Sequence, residues 1–242
     1  MSEQNLIKRW KNLKQPVLPS LVCPVCGNCA NFDSYIIHKA TDMFHAGELI
    51  RYECLQCDAI FGDMRMLGLS RKEIAADYGD LYSYYKEGDS TKYMLQIFSF
   101  FVFPKSKTYL DWACGNSNSH IAKLRTAGYD IDGYDPFVGE FKNPPSREYD
   151  VVVSNNFIEH VIEPYRDLLQ VLRWIKPEGL VLFTSQCWKF EITHTHYHTF
   201  YFLGRSIHLL EQRLGIVLLR RELIKFSDGT WTIGMLFQKM RI

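Results

Sequence analysis

The spacing of apolar residues predicts alternating strands and helices from residue 104 onward. Short apolar runs bounded by turn residues indicate buried strands, and the run from Tyr165 to Ile175 places its leucines on one helical face. The last two runs are joined through Asp228-Gly229, a strong hairpin signal. The predicted elements are a strand ending at Asp111, a helix over Ser119–Thr126 closed by Gly128, strands over Tyr129–Tyr134 and from Tyr149, a helix over Tyr165–Ile175, a strand over Leu180–Thr184, a helix over Ser206–Leu214, and strands over Ile216–Ile224 and Trp231–Met240.

The first hundred residues show a different pattern. A hairpin is predicted between Asn31–His38 and Leu49–Tyr52, and a helix over Ser70–Tyr78 begins at a capping box formed by Ser70 and Glu73. A second helix is predicted over Ser90–Phe103, with its phenylalanines packed in the core. The tyrosines between these helices, Tyr82, Tyr84 and Tyr85, are predicted to lie in a loop. We therefore divide the chain at residues 1–65, 66–103 and 104–242.

Composition narrows the class of protein. The chain has 28 basic and 27 acidic residues, a net charge of +1, and only a small basic patch near its start, which disfavours nucleic acid as a partner. The longest apolar run, Phe98–Phe103, is too short to span a bilayer, and no secretory signal is recognisable. We expect a cytoplasmic protein that does not bind a membrane. The sequence does not predict its oligomeric state.

Residues 108–136 carry the chemistry of a nucleoside pocket. A strand ends at Asp111, and Gly115 and Ser117 allow the backbone to pass close to a ligand. The second strand leads to Asp135, whose carboxylate is suited to accept hydrogen bonds from two ribose hydroxyls. The glycines of a dinucleotide fingerprint and the Lys-Ser/Thr pair of a P-loop are both missing. Each piece alone also fits a structural role, such as Asp135 capping a turn at Pro136.

Two Cys-x-x-Cys pairs predict a second, separate site. The first pair is Cys23 and Cys26, the second is Cys54 and Cys57, and 27 residues lie between the two pairs. Four thiolates at such spacing form a closed tetrahedral zinc site, which is structural rather than catalytic. Disulfides are the alternative, but they fit a cytoplasmic protein poorly. The other cysteines, Cys29, Cys114 and Cys187, are predicted to be ordinary buried or turn residues.

The Asp-x-x-Cys-Gly-x-Ser pattern at Asp111–Ser117, the following Gly-Tyr-Asp-Pro, the segment Tyr149–Pro164 and the turn Lys176–Gly179 together resemble class I S-adenosylmethionine-dependent methyltransferases. The resemblance covers about residues 104–242 and implies a Rossmann-like α/β sheet. The family usually has glycine where Ala113 and Ser117 stand. It implies that S-adenosylmethionine is bound by Asp111, Ala113, Gly115, Ser117, Asp135, Pro136, Asn155 and Asn156.

The whole chain is similar to zinc-ribbon methyltransferases of bacterial sugar and polysaccharide pathways. Their carbon methyltransferases carry a Tyr-His-Glu-His-Phe-Ser-Tyr-Phe stretch that supplies the base, and Thr195–Phe202 lies where that stretch is expected. The resemblance implies His198 as the base. The differences at Thr195 and Tyr197 favour O-methylation over C-methylation of a sugar, nucleotide sugar or glycan-linked small molecule. The residues expected to bind it are Tyr82, Tyr84, Tyr85, Glu159, His160, His196 and Tyr197.

Three alternatives remain open at this level. His194, His196 and His198 would share a face on a strand, where they could bind a metal or pack structurally. In a related quinone O-methyltransferase group, an earlier glutamate joins the Glu-His pair to bind a divalent metal; the matching position here is Asn156, so we expect no metal there. An RNA methyltransferase with a zinc ribbon and a non-catalytic adaptor are the competing functions.

Overall fold

The computed structural model describes residues 3–13, 21–30, 34–84, 90–115, 119–137, 140–186 and 195–241. The chain forms two compact units, each built from three segments. The first unit comprises Met1–Tyr84, Glu159–Leu168 and Cys187–Leu214. The second comprises Tyr85–Ile158, Leu169–Gln186 and Gly215–Ile242. The domain boundaries proposed from the sequence stay a prediction.

The first unit contains a four-stranded antiparallel sheet and a separate two-stranded ladder. Its elements are α1 (Glu3–Asn12), β1 (Leu21–Val22), β2 (Cys29–Ala30), β3 (Tyr35–Thr41), β4 (Glu48–Cys54), β5 (Ile60–Phe61), α2 (Met64–Leu67), α3 (Arg71–Tyr84), β10 (Phe200–Tyr201) and α7 (Arg205–Leu214). The spatial order of the sheet is β10-β5-β4-β3, so the strand latest in the sequence lies beside β5, and the ladder consists of β1 and β2.

The second unit contains a six-stranded sheet. Its elements are α4 (Thr91–Phe100), β6 (Thr108–Trp112), α5 (Ser119–Thr126), β7 (Asp130–Tyr134), β8 (Tyr149–Asn155), β9 (Ile175–Ser185), β11 (Ile216–Lys225) and β12 (Trp231–Lys239). The strand order is β11-β12-β9-β8-β6-β7, and strands β6 to β9 are parallel, while β12 runs antiparallel to both β9 and β11. A 3₁₀ turn (Ile158–His160) and α6 (Pro164–Leu172) include residues of both units. The predicted Rossmann-like α/β fold is confirmed.

One continuous apolar core stabilises the second unit. Helix α4 contributes Met94, Ile97 and Phe98, which pack with residues of α5 and of the parallel strands. The six-stranded sheet is thus fixed by burial of its apolar side chains, the dominant favourable contribution to folding. The predicted core role of the phenylalanines fits this packing.

Three sequence predictions differ from the observed elements. Helix α3 continues to Tyr84, so the backbone of Tyr82 and Tyr84 is helical rather than part of a loop. Helix α6 ends at Leu172 instead of Ile175. The predicted turn Lys176–Gly179 lies inside β9, where it is absorbed as an irregularity in the pairing between β8 and β9. Glu178 there has φ of 63°, so a turn-like conformation persists within the strand.

Among the described residues, no helix is long and apolar enough to cross a membrane.

Candidate functional site

The carboxyl ends of three neighbouring parallel strands bring acidic and amide side chains to one edge of the second unit's sheet. Asp111 lies near the end of β6, Asp135 follows β7, and Asn155 ends β8. Strand β6 lies between β7 and β8, so the chain leaves it on one side and returns on the other. Ligands of open α/β sheets bind at such a switch point.

The turn after β6 is held against the end of β7 by its backbone. The Ala113 N–H donates to the Tyr134 carbonyl at 2.8 Å, and the Gly115 N–H donates to the Asp135 carboxylate at 3.1 Å. Ala113 and Gly115 have φ of 58° and 66°, in the left-handed region that favours glycine. This conformation explains why class I methyltransferases usually have glycine at the position of Ala113, since glycine adopts a positive φ without strain.

Asp135 is a buried carboxylate, only 4% exposed. It also accepts a 2.9 Å hydrogen bond from the Phe137 N–H. Burial raises the pKa of Asp135, the two backbone donors counteract this, and the nearby charge of Asp111 adds to the rise. A carboxylate placed in this way has remaining lone pairs for hydroxyl donors of a ligand.

Asp111 is held by a partner that sequence reasoning missed. His120, in the first turn of α5, donates from Nε2 to Asp111 at 2.5 Å, and both side chains are buried. Burial raises the pKa of Asp111, and the hydrogen bond and charge of His120 counteract that rise. A histidine nine positions after an aspartate has no recognisable spacing signal, so only the fold reveals the pair.

The end of β8 supplies amide groups. Thr184 donates its hydroxyl to Asn155 Oδ1 at 2.6 Å. Asn156 has φ of 51°, and its Oδ1 is buried without a hydrogen-bond partner among the described residues. A buried acceptor of this kind is costly unless a donor reaches it, so a bound ligand with an N–H or O–H group fits here. Together with Asp135, it makes this edge suited to S-adenosylmethionine.

The four predicted cysteine ligands converge in the first unit. The sulfurs of Cys23, Cys26, Cys54 and Cys57 all lie within 4.8 Å of one another. Cys23 and Cys57 are 3.6 Å apart at their sulfurs, and Cys26 and Cys54 are 3.7 Å apart. The edge of a tetrahedron with zinc–sulfur bonds of about 2.3 Å is about 3.8 Å, so the spacing fits zinc. All four are free cysteines, and the cluster could hold one zinc ion.

The hydrogen bond from Cys57 lowers the pKa of Cys23 to about 5, more than burial raises it. This lowering favours the thiolate, the form of cysteine that binds metal.

The histidine segment forms a turn rather than a strand on which the histidines would share a face. The His198 N–H donates to the Thr195 carbonyl at 3.1 Å, which closes the turn over residues 195–198. His196 and His198 consequently face different surroundings. The His196 ring donates to Asp42 at 3.0 Å and lies 3.8 Å from the Trp10 ring. His194 lies outside the described residues.

His198 belongs to a cluster with Glu159 and His160. One ligand-capable atom from each of the three lies within 4.8 Å of the others, and the two imidazole rings are 4.7 Å apart. Burial lowers the pKa of His160 to about 4 and that of His198 well below its usual 6.5, where the charges of His160 and Arg51 lower it further. Both rings are therefore neutral at pH 7. A neutral imidazole can accept a proton or bind a divalent metal.

Tyr197 and His196 are buried in an aromatic core with two carboxylates that the sequence did not single out. The Tyr197 hydroxyl donates to Asp77 at 2.8 Å, and the Trp10 indole donates to the same carboxylate at 3.1 Å. Asp42 receives both the backbone and the ring of His196. The predicted substrate contacts of His196 and Tyr197 stay a prediction, as does that of Glu159 and His160.

Several predicted residues cannot be placed in either site. Ser117 and Tyr85 lie outside the described residues, and of Tyr82 and Tyr84 the structure describes only the backbone.

Comparison with known proteins agrees with the architecture. Residues 85–215 match the family described as "Methyltransferase domain". Malonyl-(acyl-carrier protein) O-methyltransferase from Halalkalibacterium halodurans is 32% identical over 103 residues, which is 42% of this chain and 35% of that protein. The chain thus spans about a third of that relative's length.

Two solved structures are similar in their chain trace. An S-adenosylmethionine-dependent methyltransferase from Methanosarcina mazei shows 15% identity and a TM-score of 0.44, over 60% of this chain and 97% of that one. An O-methyltransferase family protein from Burkholderia thailandensis shows 12% identity and a TM-score of 0.47, over 74% and 62% of the two chains.

Proposed function

Because the chain belongs to the methyltransferase-domain family, matched over residues 85–215, we propose that it methylates a sugar, nucleotide sugar or glycan-linked small molecule with S-adenosylmethionine. The proposed class of acceptor is supported by the resemblance of the whole chain to zinc-ribbon sugar methyltransferases.

The cofactor assignment rests on the hydrogen bond from the Gly115 N–H to the Asp135 carboxylate, which holds the turn after β6 against the end of β7. It places a buried carboxylate beside a tight backbone turn, as a ribose requires. We assign the cofactor to the sequence-predicted set of Asp111, Ala113, Gly115, Ser117, Asp135, Pro136, Asn155 and Asn156. In this set Asp111 acts by holding α5 through His120, and Asn156 offers its buried acceptor.

Oxygen is the favoured acceptor atom. The relative that is 32% identical is named as an O-methyltransferase, and the segment Thr195–Phe202 departs from the carbon methyltransferase pattern at two positions. The substrate contacts are assigned, as in the sequence prediction, to Tyr82, Tyr84, Tyr85, Glu159, His160, His196 and Tyr197. A nucleic-acid or membrane partner is not part of this proposal.

His198 is the proposed base. When bound, S-adenosylmethionine supplies a methyl group already activated on a sulfonium, so the protein's task is to orient the acceptor and remove its proton. Burial keeps His198 neutral and able to accept that proton. A divalent metal held by Glu159, His160 and His198 is the second candidate role, because their ligand atoms are close together.

The test compares His198→Ala and His198→Asn with wild type, using a panel of sugar and nucleotide-sugar acceptors. A base predicts turnover lower by about 10²- to 10⁴-fold with nearly unchanged affinity for S-adenosylhomocysteine. The rising limb of the pH profile should disappear, and in wild type it should lie below pH 6.5 because the pKa of His198 is lowered.

Inhibition by a chelator that leaves the zinc content of the cysteine cluster unchanged, restored by added Mn²⁺, would assign the second role instead. Full turnover in both variants would remove His198 from the chemistry.

We also propose that the four-cysteine cluster holds one structural zinc ion. All four coordination positions are filled by protein sulfurs, three of which are buried, so no position is open for a substrate.

A further inference from the structure

A buried arginine links the cysteine-bearing sheet to the turn that carries His198. Arg51 lies on β4, three residues before Cys54, and is only 2% exposed. Its Nη2 donates to the Thr195 carbonyl at 2.5 Å and to the His198 carbonyl at 3.1 Å, and its Nε donates to the His198 carbonyl at 3.3 Å. One guanidinium thus holds both ends of the turn.

The environment of this cation is unusual. Burying a charge costs free energy unless it is paired, and the groups that contact the Arg51 guanidinium among the described residues include no carboxylate. Its partners are backbone carbonyls and the face of Tyr201, whose ring centroid is 5.3 Å from the guanidinium carbon. If the side chain at position 51 only filled space, an apolar residue there would cost less free energy to bury than arginine does. The observed contacts all serve one short segment.

The same segment is held from two other elements of the sheet. Asp42, after β3, accepts hydrogen bonds from the backbone and the ring of His196 at 3.0 Å. The Gly62 N–H, just after β5, donates to the Thr199 carbonyl at 3.0 Å, and β10 then pairs with β5. Besides its own hydrogen bond from His198 to Thr195, the turn is therefore held in shape by contacts from the neighbouring strands.

The hairpin of β4 and β5, which holds this turn, also carries two of the cysteines. Cys54 is the last residue of β4, and the Cys54 N–H donates to the Ala59 carbonyl at 2.9 Å as the chain turns into β5. A metal bound by Cys54 and Cys57 would close this hairpin, since metal binding supplies folding free energy where the ligands lie. The hairpin is thus shared by the cysteine cluster and the histidine turn.

We propose that Arg51 is a positioning residue that couples metal occupancy of the cysteine cluster to the geometry of His198. Metal in the cluster fixes the β4–β5 hairpin, Arg51 and β5 fix residues 195–201, and His198 is thereby held. The residues that carry this coupling all lie in the first unit. An effect of the coupling on turnover rests on the proposed role of His198 as the base.

The experiment measures the turn directly in the full chain. Arg51→Met removes the charge and the donors, Arg51→Lys keeps the charge, and Lys39→Met, at an exposed position of the same sheet, is the matched control. Hydrogen–deuterium exchange of peptides covering residues 195–201 and modification of His198 by diethyl pyrocarbonate, mapped by mass spectrometry, are the readouts.

In Arg51→Met we expect exchange at 195–201 to rise at least tenfold and His198 modification to increase, with zinc content and S-adenosylhomocysteine affinity within twofold of wild type. Arg51→Lys should recover part of the protection, and Lys39→Met should match wild type. Chelation of the metal from wild-type protein should loosen the same peptides. With an acceptor in hand, kcat should fall while KM for S-adenosylmethionine stays constant.

Unchanged exchange at 195–201 in Arg51→Met would overturn the positioning role. Unchanged exchange after metal removal, verified by elemental analysis, would overturn the coupling. If Arg51→Met does not fold, the Arg51→Lys variant and the chelation of wild type decide the matter by the same criteria. Because neither readout requires turnover, a failure of His198 as the base would leave this result intact and is recognised separately.

Discussion

At the scale of single residues, Asp135 is the strongest test of the cofactor assignment. Asp135→Ala would lose two charge-assisted hydrogen bonds to a ribose, about 1.5 to 3 kcal/mol each, together with its hold on the Gly115 turn. Calorimetry with S-adenosylhomocysteine should show a loss of affinity of at least about 100-fold.

Asp132→Ala is the matched control. Asp132 lies on β7, just before Asp135, is more exposed, and pairs with Arg147 rather than with the turn. It should bind S-adenosylhomocysteine as wild type does. Equal affinity in the Asp135 and Asp132 variants would contradict the assignment of the ribose to Asp135.

His160 makes a second prediction, on acid stability. Burial lowers the pKa of His160 to about 4, against 6.5 for an ordinary histidine, so between these pH values the unfolded chain binds a proton that the folded chain does not. Stability is therefore lost as pH falls from about 6.5 to about 4, by up to about 3 kcal/mol from this residue.

His160→Gln should show less of this loss. The free energy of unfolding of wild type and variant, measured in urea at pH 7.5, 6 and 5, should converge or cross as pH falls; comparing the two proteins cancels any acid loss of metal. Parallel curves would show that His160 takes up its proton in the folded state as readily as in the unfolded state.

Sequence patterns predicted roles for residues whose chemistry follows from order along the chain, and missed contacts that depend on the tertiary structure. The turn at Gly115 and the four cysteines have spacings that predict a cofactor site and a zinc site. Arg51 is one charged residue in an amphipathic strand, and the His198 carbonyl that accepts its hydrogen bond lies 147 positions later in the sequence. Nothing in local periodicity reports such a contact.

At the scale of elements, helix α5 and strand β7 pack too closely to admit a side chain at Gly133. A Cβ there would lie 2.4 Å from Ile121 Cδ1 and 2.8 Å from Phe141 Cδ1. We expect Gly133→Ala to lower the free energy of unfolding by about 1 to 3 kcal/mol, as overpacking a core does. The dinucleotide-like glycine pattern is absent, so this close approach was not predicted.

Gly79→Ala provides the control for that substitution. Gly79 lies inside α3 with no atom within 4 Å of an added Cβ, so alanine should stabilise the helix by about 0.5 to 1 kcal/mol. Thermal unfolding of both variants measures the contrast. A Gly133 variant as stable as wild type would mean that Ile121 and Phe141 move aside at little cost.

Elements were predicted best where local signals and tertiary structure agree. The bounds of α5 are those expected, and the capping box of α3 forms as predicted, since the Ser70 N–H donates to the Glu73 carboxylate at 2.8 Å. The turn residues Lys176–Gly179 lie inside β9 because β8 pairs with this strand on both sides of them, at Ile175 and again from Leu180. Sheet formation there overrides the local preference.

At the scale of the whole molecule, zinc should stabilise the first unit selectively. We predict one zinc ion per chain by elemental analysis of protein purified without chelator. Its removal should increase hydrogen exchange over residues 21–61, while the six-stranded sheet keeps its protection, because metal binding supplies folding free energy locally. A zinc-free preparation with native exchange, or a mass shift from disulfide formation, would contradict the closed zinc site.

The pairing of β10 with β5 also has a consequence for the order of events at the ribosome. Arg51 and the His198 carbonyl are separated by 147 residues, which take on the order of 10 s to synthesise at about 5 to 20 residues per second. The four cysteines therefore emerge, and can capture their ion, well before the histidine turn exists. In a nascent chain without metal, the edge of β5 would not be formed when β10 is synthesised, so β10 would have no strand to pair with. Metal supply during translation would then decide how many finished molecules carry an ordered His198.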